Sequence, residues 1–528
     1  MAKWLTILAC GLGLTVFAGA VVAPMVGLAI TGAGLGREVA APVPLPSGWM
    51  LLAHSVALSA VAAIAAIILG IAPAAVLGSV RAHWRPIVLG LILAPLLLPS
   101  QIHAYAWDLA LGNAGIVGRW LPQPLFDTAW ARTVQAGLIS AGWLWPVVAL
   151  IVGAGWRVVG RTSYTLAILD TTPTRAYLKA VLPGLRHHLL AAVCVVFAIT
   201  LIEYPIPHLT LCRVYSTELV VLAESAAPAS QLMQITVQVV MLVVVLVAIV
   251  AQSLRAAARF QPVDAQDHPW TANTARHDSR PPRTACVLAL CVWCASLLLP
   301  AVAMWLAMRD STAWRQAFSL FAREWTISLA VALAAALLSV AMAVATVLLG
   351  RASNRPWLAR LGIAGAMTAL CPPAILGIAL IAAFNRPGLL GYLYDVTPVV
   401  WIMGLVARYG LVAMLVVWTS LGSRRMLLVE QARVDGADTC QILVLILLRM
   451  LQPVLLAAVL VVMLLSLFEV VVTHLAGPVG FPSLSLTLLN HMHYGRDDVV
   501  IATSLTVMGL GVLLTLTCGW LVNARNRA

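Results

Sequence analysis

Long apolar runs, each close to the thickness of a bilayer, recur along this chain and leave only short polar stretches between them. A bilayer core needs about 20 apolar residues per helix, and about twelve runs reach that length. The first six lie at roughly 4–30, 50–79, 86–107, 132–154, 189–211 and 233–254. The second six lie at roughly 286–308, 326–350, 361–384, 399–421, 454–475 and 499–521. Only 10% of residues are charged and 62% are hydrophobic, whereas soluble domains average about 25% charged. A soluble core stops growing at about 250–300 residues, so it could not absorb this much apolar surface. The pattern predicts an all-α membrane protein whose chemistry sits at its few polar points.

The net charge of +13 does not point to nucleic acid, because the basic residues are scattered among spans and form no single face. Contact with an anionic leaflet accounts for them more simply. With both termini placed inside, the cytoplasmic segments carry most of the 32 Lys and Arg residues, among them Arg81, Arg157, Arg255, Arg351 and Arg424, which fixes the orientation. Trp4 to about Ile30 is too long for the apolar stretch of a signal peptide and reads as an uncleaved first span. A polar segment over 255–285, containing Arg280-Pro281-Pro282-Arg283, reads as a cytoplasmic linker between two six-span halves, 1–254 and 286–528. An even number of spans per half gives the halves the same orientation, so they are expected to be parallel repeats.

Cysteines fall almost entirely inside apolar runs and suggest small core residues, Cys291-Val292-Trp293-Cys294 included. They supply neither a disulfide framework nor a metal site.

One charged island interrupts the second half: Glu430-Gln431-Ala432-Arg433-Val434-Asp435-Gly436. A worn copy stands upstream, from Leu166 to Asp170, followed by Pro173-Thr174-Arg175 and Leu182-Pro183. Each is followed by an apolar span and one acid, and the spacing is shared: Pro183 to Glu203 is 20 residues, as is Arg449 to Glu469. The orientation puts both islands in the cytoplasm. A glycine there permits a tight turn between two short helices, and an acid can cap a helix start or meet basic groups on a partner. An amphipathic loop lying on the membrane is the competing reading, and the duplication argues against it.

The island resembles the cytoplasmic signature of ABC-importer permeases, a Glu-Ala-Ala triplet, three residues, a Gly, and then an Ile-x-Leu-Pro element. Glu430, Gln431, Ala432 and Gly436 stand at its first positions, and Ile446 and Leu448 at the apolar element. Gln431 replaces an alanine and Arg449 the proline. In the upstream copy Asp170, Leu182 and Pro183 match, but the glutamate is missing. Ala369 to Leu380, Leu467-Phe468-Glu469, Gly477-Pro478 and His491 to Gly495 resemble fused two-half permeases of the iron(III) and thiamine type. The resemblance implies a type I importer architecture of twelve spans in a bacterial cytoplasmic membrane. It implies that Glu430, Ala432, Asp435, Gly436, Asp170 and Pro183 couple to two ATP-binding cassette subunits. A periplasmic or surface binding protein would deliver the solute, with iron(III) ranked first and thiamine, phosphonate or polyamine as alternatives. No Gly-x-x-x-x-Gly-Lys-Ser/Thr loop occurs in the sequence, so ATP and its hydrolysis are expected on the partner subunit, with no cofactor bound by this chain.

Ionisable residues inside spans mark functional candidates. Twenty helical residues rise about 30 Å, so Glu203 and Glu469 are expected near the outer mouth, on broken helix ends that line a cavity. Pro205 and Pro207 follow the first acid, Gly477 and Pro478 the second. The pair could line a translocation path or gate and attract a cation, or could be helix-end acids satisfied by backbone or arginine. Arg408 has Gly142 as its first-half counterpart and is expected to pair with Glu469, with substrate contact on the translocation path or gate as the alternative. His491-Met492-His493 offers metal-competent donors but reads as a solvated loop, with Asp497 and Asp498 capping the last helix. The rival class is an ion-coupled secondary transporter, which predicts charges near the midplane of several spans.

Overall fold

The protein is described by a computed structural model over residues 48–259 and 283–524, apart from 82, 114, 122–126, 158–160, 226–228, 422 and 494–497, with scattered positions between 11 and 26. The first expected span and most of the 255–285 linker lie outside the described residues, as do Asp497, Tyr494 and Gly495. No strand occurs among the described residues. Helices are the expected answer for spans this apolar, because a lipid-facing backbone must satisfy its own hydrogen bonds. Among the described residues, eight helices are long and apolar enough to cross a membrane, and up to 11 if each of three bent pairs counts as one span. The chain is a multi-pass all-α membrane protein.

The bends occur where the sequence reading drew straight spans. The 86–107 run is the pair Arg85–Leu96 and Ser100–Leu111, at 76° to each other, and the 361–384 run is Pro356–Leu370 and Pro373–Phe384, at 110°. Both breaks sit at a proline, Pro99 at φ −56°, ψ 131° and Pro372 at φ −51°, ψ 134°. A proline removes one backbone donor and drives the residue before it out of the helical region; Cys371 accordingly adopts φ −71°, ψ 142°.

The same order of elements occurs on both sides of the linker. A long helix (Gly48–Ser79, or Ala322–Ala352) precedes the bent pair, which precedes a straight span, Ala129–Gly155 or Val399–Ser420. Short helices follow, then a span ending just before an acid: Arg186–Ile202 before Glu203, and Arg449–Leu467 before Glu469. Each acid is followed by a short helix, Pro205–Leu209 or Val471–Ala476, and by a ten-residue helix, Tyr215–Glu224 or Leu484–His493. A final long helix closes each stretch, Ala229–Arg259 or Asp498–Ala524.

The core crosses between these stretches. Leu201, Tyr215 and Leu219 pack with Ala374, Ile375 and Val471, and Ile102 and Tyr105 belong to one buried cluster with Leu467, Leu488 and Val500. The Arg85–Leu96 helix lies along Asp498–Ala524. Ile64, Ile68, Met241, Leu288 and Leu513 point outward with more than half their surface exposed, a position that only a lipid solvent makes favourable. His474 Nε2, 2.9 Å from Glu224 Oε1, adds a polar link between the two stretches.

Candidate functional site

The charged island folds as a helix, Ser423–Val434, followed by a reversal at Gly436 with φ +83°. No atom lies within 4 Å of where a Cβ would stand at Gly436, so the glycine is required for its left-handed backbone and not for space. Glu430 lies in the last turns of its helix and caps nothing. Its carboxylate receives a hydrogen bond from Arg433 Nη1 at 2.6 Å. Arg433 also donates to the carbonyl of Arg351, and the Arg351 guanidinium sits 4.8 Å over the Trp418 ring. These contacts pin the island to the ends of two spans. Ala432 packs on the core, whereas Asp435 is exposed, and Val434 is 88% exposed beside the exposed Leu427 and Leu428.

The helix that follows is capped by a residue the motif comparison overlooked. Asp438 accepts from the Gln441 N–H at 2.7 Å, and the Gln441 side chain accepts from the Asp438 N–H at 2.9 Å. This reciprocal box is readable from the Asp-x-x-Gln spacing. From Thr439 the helix runs without a break to Leu467, 29 residues, with a wider π turn over Ile442–Leu448.

The upstream copy is built differently. Its pieces are Arg161–Ala167, Pro173–Ala176, Tyr177–Val181 and Leu182–Gly184, and its helix meets Arg186–Ile202 at 58°. Asp170 and Pro183 are exposed, with Leu169 78% exposed beside them. The residue that distinguishes the copies explains the difference. Pro183 stands at the bend, whereas Arg449 occupies the equivalent place and lets the second helix continue.

The two acids and Arg408 come together. Glu203, Glu469 and Arg408 line one cavity of about 470 Å³ between the two halves, along with Ser100, Trp143 and Tyr409. Glu203 and Glu469 are each 7% exposed. Arg408 Nε lies 3.9 Å from Glu469 Oε2, which the Tyr409 hydroxyl reaches at 2.5 Å. The other Glu469 oxygen accepts from the Val472 N–H at 3.3 Å. Tyr409 is the eleventh of 22 residues in its helix, so the carboxylate stands beside the middle of that span. Both acids line the cavity from buried positions. The chain turns at Phe468, and the carboxylate is drawn to Tyr409 and Arg408.

Arg408 has a second task. Its Nη1 donates to the carbonyls of Ala369 at 2.8 Å and Cys371 at 3.4 Å, which the proline break leaves without helical partners. At the corresponding break Trp143 Nε1 donates to the Leu98 carbonyl at 3.0 Å. Gly142 leaves room there for the buried His103, whose Nε2 would lie 3.2 Å from a Cβ at that position.

Other candidates are corrected. His491 and Met492 lie in the Leu484–His493 helix and not in a solvated loop; Met492 is buried and His491 meets Phe321 at 5.6 Å. Asp498 accepts from the backbone N–H groups of Arg309 and Asp310, at 3.1 and 2.9 Å, fastening the last helix to a distant loop. Tyr409 and Ser100 escaped the sequence reading because a tyrosine or serine within a span carries no charge signal. No group of three or more His, Cys, Asp or Glu residues that could hold a metal occurs among the described residues.

No known protein-family model matches the chain, and no curated protein matches it.

Proposed function

We propose that the chain is the permease subunit of an ATP-driven importer in a bacterial cytoplasmic membrane, built as two parallel six-span halves with both termini in the cytoplasm. Two ATP-binding cassette subunits would dock on the islands around Glu430 and Asp170, and hydrolyse ATP there. A binding protein would deliver solute from the other side. The observation that carries this reading is the unbroken helix from Thr439 to Leu467. It joins the island at one end to the cavity acid Glu469 at the other, giving an external motor a direct connection to the solute path. Iron(III) is the substrate ranked first by the sequence resemblance, with thiamine, phosphonate and polyamine as the alternatives.

The buried cluster of Glu203, Arg408 and Glu469 favours a second reading, an ion-coupled secondary transporter, because charges in a membrane interior are costly and kept for function. Reconstituted uptake separates the two. Accumulation that needs the ATPase subunits, the binding protein and ATP supports the importer. Accumulation by this chain alone, driven by a proton or sodium gradient, refutes it.

A further inference from the structure

The two cavity acids differ in their partners, although their positions correspond. Both oxygens of Glu469 are engaged, by Tyr409 and Val472, with Arg408 beside them. Opposite them, Glu203 Oε1 is buried with no hydrogen-bond partner, and Ser100 is the side chain within hydrogen-bonding reach of that carboxyl. Arg408 lies beside Glu469, and Glu203 is the second carboxyl facing the cavity.

Resting on the importer reading, we propose that Glu203 is the substrate-contacting acid and that the cavity takes an organic cation: one positive head for Glu203 and an apolar body for the remaining walls. A buried carboxyl oxygen without a hydrogen-bond partner is costly, and an incoming cationic donor supplies the partner. The rest of the lining fits the body. Leu93, Leu97, Val147, Leu411, Val412 and Leu465 are typical of it. A bare metal ion fits poorly, because hard cations demand six or more oxygen ligands. Here one free carboxyl oxygen and one serine hydroxyl are on offer. Glu469 is in this scheme a positioning residue that holds Arg408 and Tyr409. The inference ranks thiamine, with its single fixed positive charge, above iron(III) and the multiply charged polyamines.

Carbodiimide labelling tests this on the intact chain. The full protein in lipid nanodiscs is treated with dicyclohexylcarbodiimide, which adds to accessible carboxyl groups inside membranes, and modified residues are read by mass spectrometry. A strong hydrogen bond to a charged group suppresses such a reaction about tenfold or more, so Glu203 is modified at least about tenfold faster than Glu469. Millimolar thiamine slows modification of Glu203 several-fold, and sulfate does not. Equal modification of the two acids overturns the inference, as does protection by iron(III) or sulfate in place of thiamine, or by nothing. A complete complex that shows this labelling pattern without ATP-dependent uptake removes the importer reading and leaves the cation site standing.

Discussion

Replacing Arg408 by Met and Glu469 by Gln, singly and together, isolates the interaction at the centre of the cavity. At 3.9 Å and an effective dielectric near 20, the attraction between unit charges is about 4 kcal/mol, a ceiling that desolvation lowers. Both side chains are largely buried, 13% and 8% exposed, so solvent screening removes little of it. Arg408→Met also strips donors from the carbonyls of Ala369 and Cys371 and strands a buried carboxylate, for a total cost of about 3–5 kcal/mol. Glu469→Gln keeps an acceptor for Tyr409 but leaves the guanidinium without its counter-charge, costing about 1–3 kcal/mol. Once Arg408 is gone, the second substitution relieves the stranded charge, so the double variant is no less stable than Arg408→Met alone. The expected coupling is about 2–3 kcal/mol. Unfolding in mixed micelles of graded SDS content measures all four proteins. Additivity within about 0.5 kcal/mol would refute the pairing and reduce Arg408 to a plug for the proline break.

Three further outcomes concern the charged island and the segments beside it. Gly436→Ala forces a Cβ into left-handed backbone, costing about 1–2 kcal/mol locally; the variant still folds, and ATP-driven uptake by the complete complex falls several-fold, whereas wild-type uptake would refute a docking role for the turn. Asp438→Ala removes a cap worth about 0.5–2 kcal/mol, and hydrogen exchange of the amides just after Thr439 accelerates up to about tenfold while those near Leu464 do not change. Arg449→Pro adds a second proline to the continuous helix, one turn before Pro453, at a cost of up to about 3 kcal/mol; uptake falls several-fold, with a smaller effect from Pro183→Ala on the already bent side, and equal losses would contradict the structural difference between the copies.

Much of this arrangement is legible in the sequence, and the limits have physical causes. Hydropathy located nearly every described span, because span length is set by the bilayer and not by neighbours. The matched offset from Pro183 and Arg449 to the two acids foretold that Glu203 and Glu469 would share a cavity, and the charge at Arg408 foretold its partner. The bends at Pro99 and Pro372 were present as residues but hidden by the surrounding hydrophobicity, which is equally high on both sides of each break. The depth of the acids depended on where Phe468 turns the chain and on the reach of Tyr409, neither of which spacing encodes. The cap at Asp438 is encoded locally, in the Asp-x-x-Gln spacing to Gln441.

The helix from Thr439 to Leu467 has a mechanical consequence. Its 29 residues make a rod about 43 Å long. A 10° tilt about its midpoint displaces each end by about 4 Å, comparable to the width of the space between a free carboxylate and its neighbours. The first half, bent beside Pro183, would absorb the same push at its joint. Under the proposed importer reading, force arriving equally at both islands would be converted unequally, and the wall that carries Glu469 would move past the one that carries Glu203.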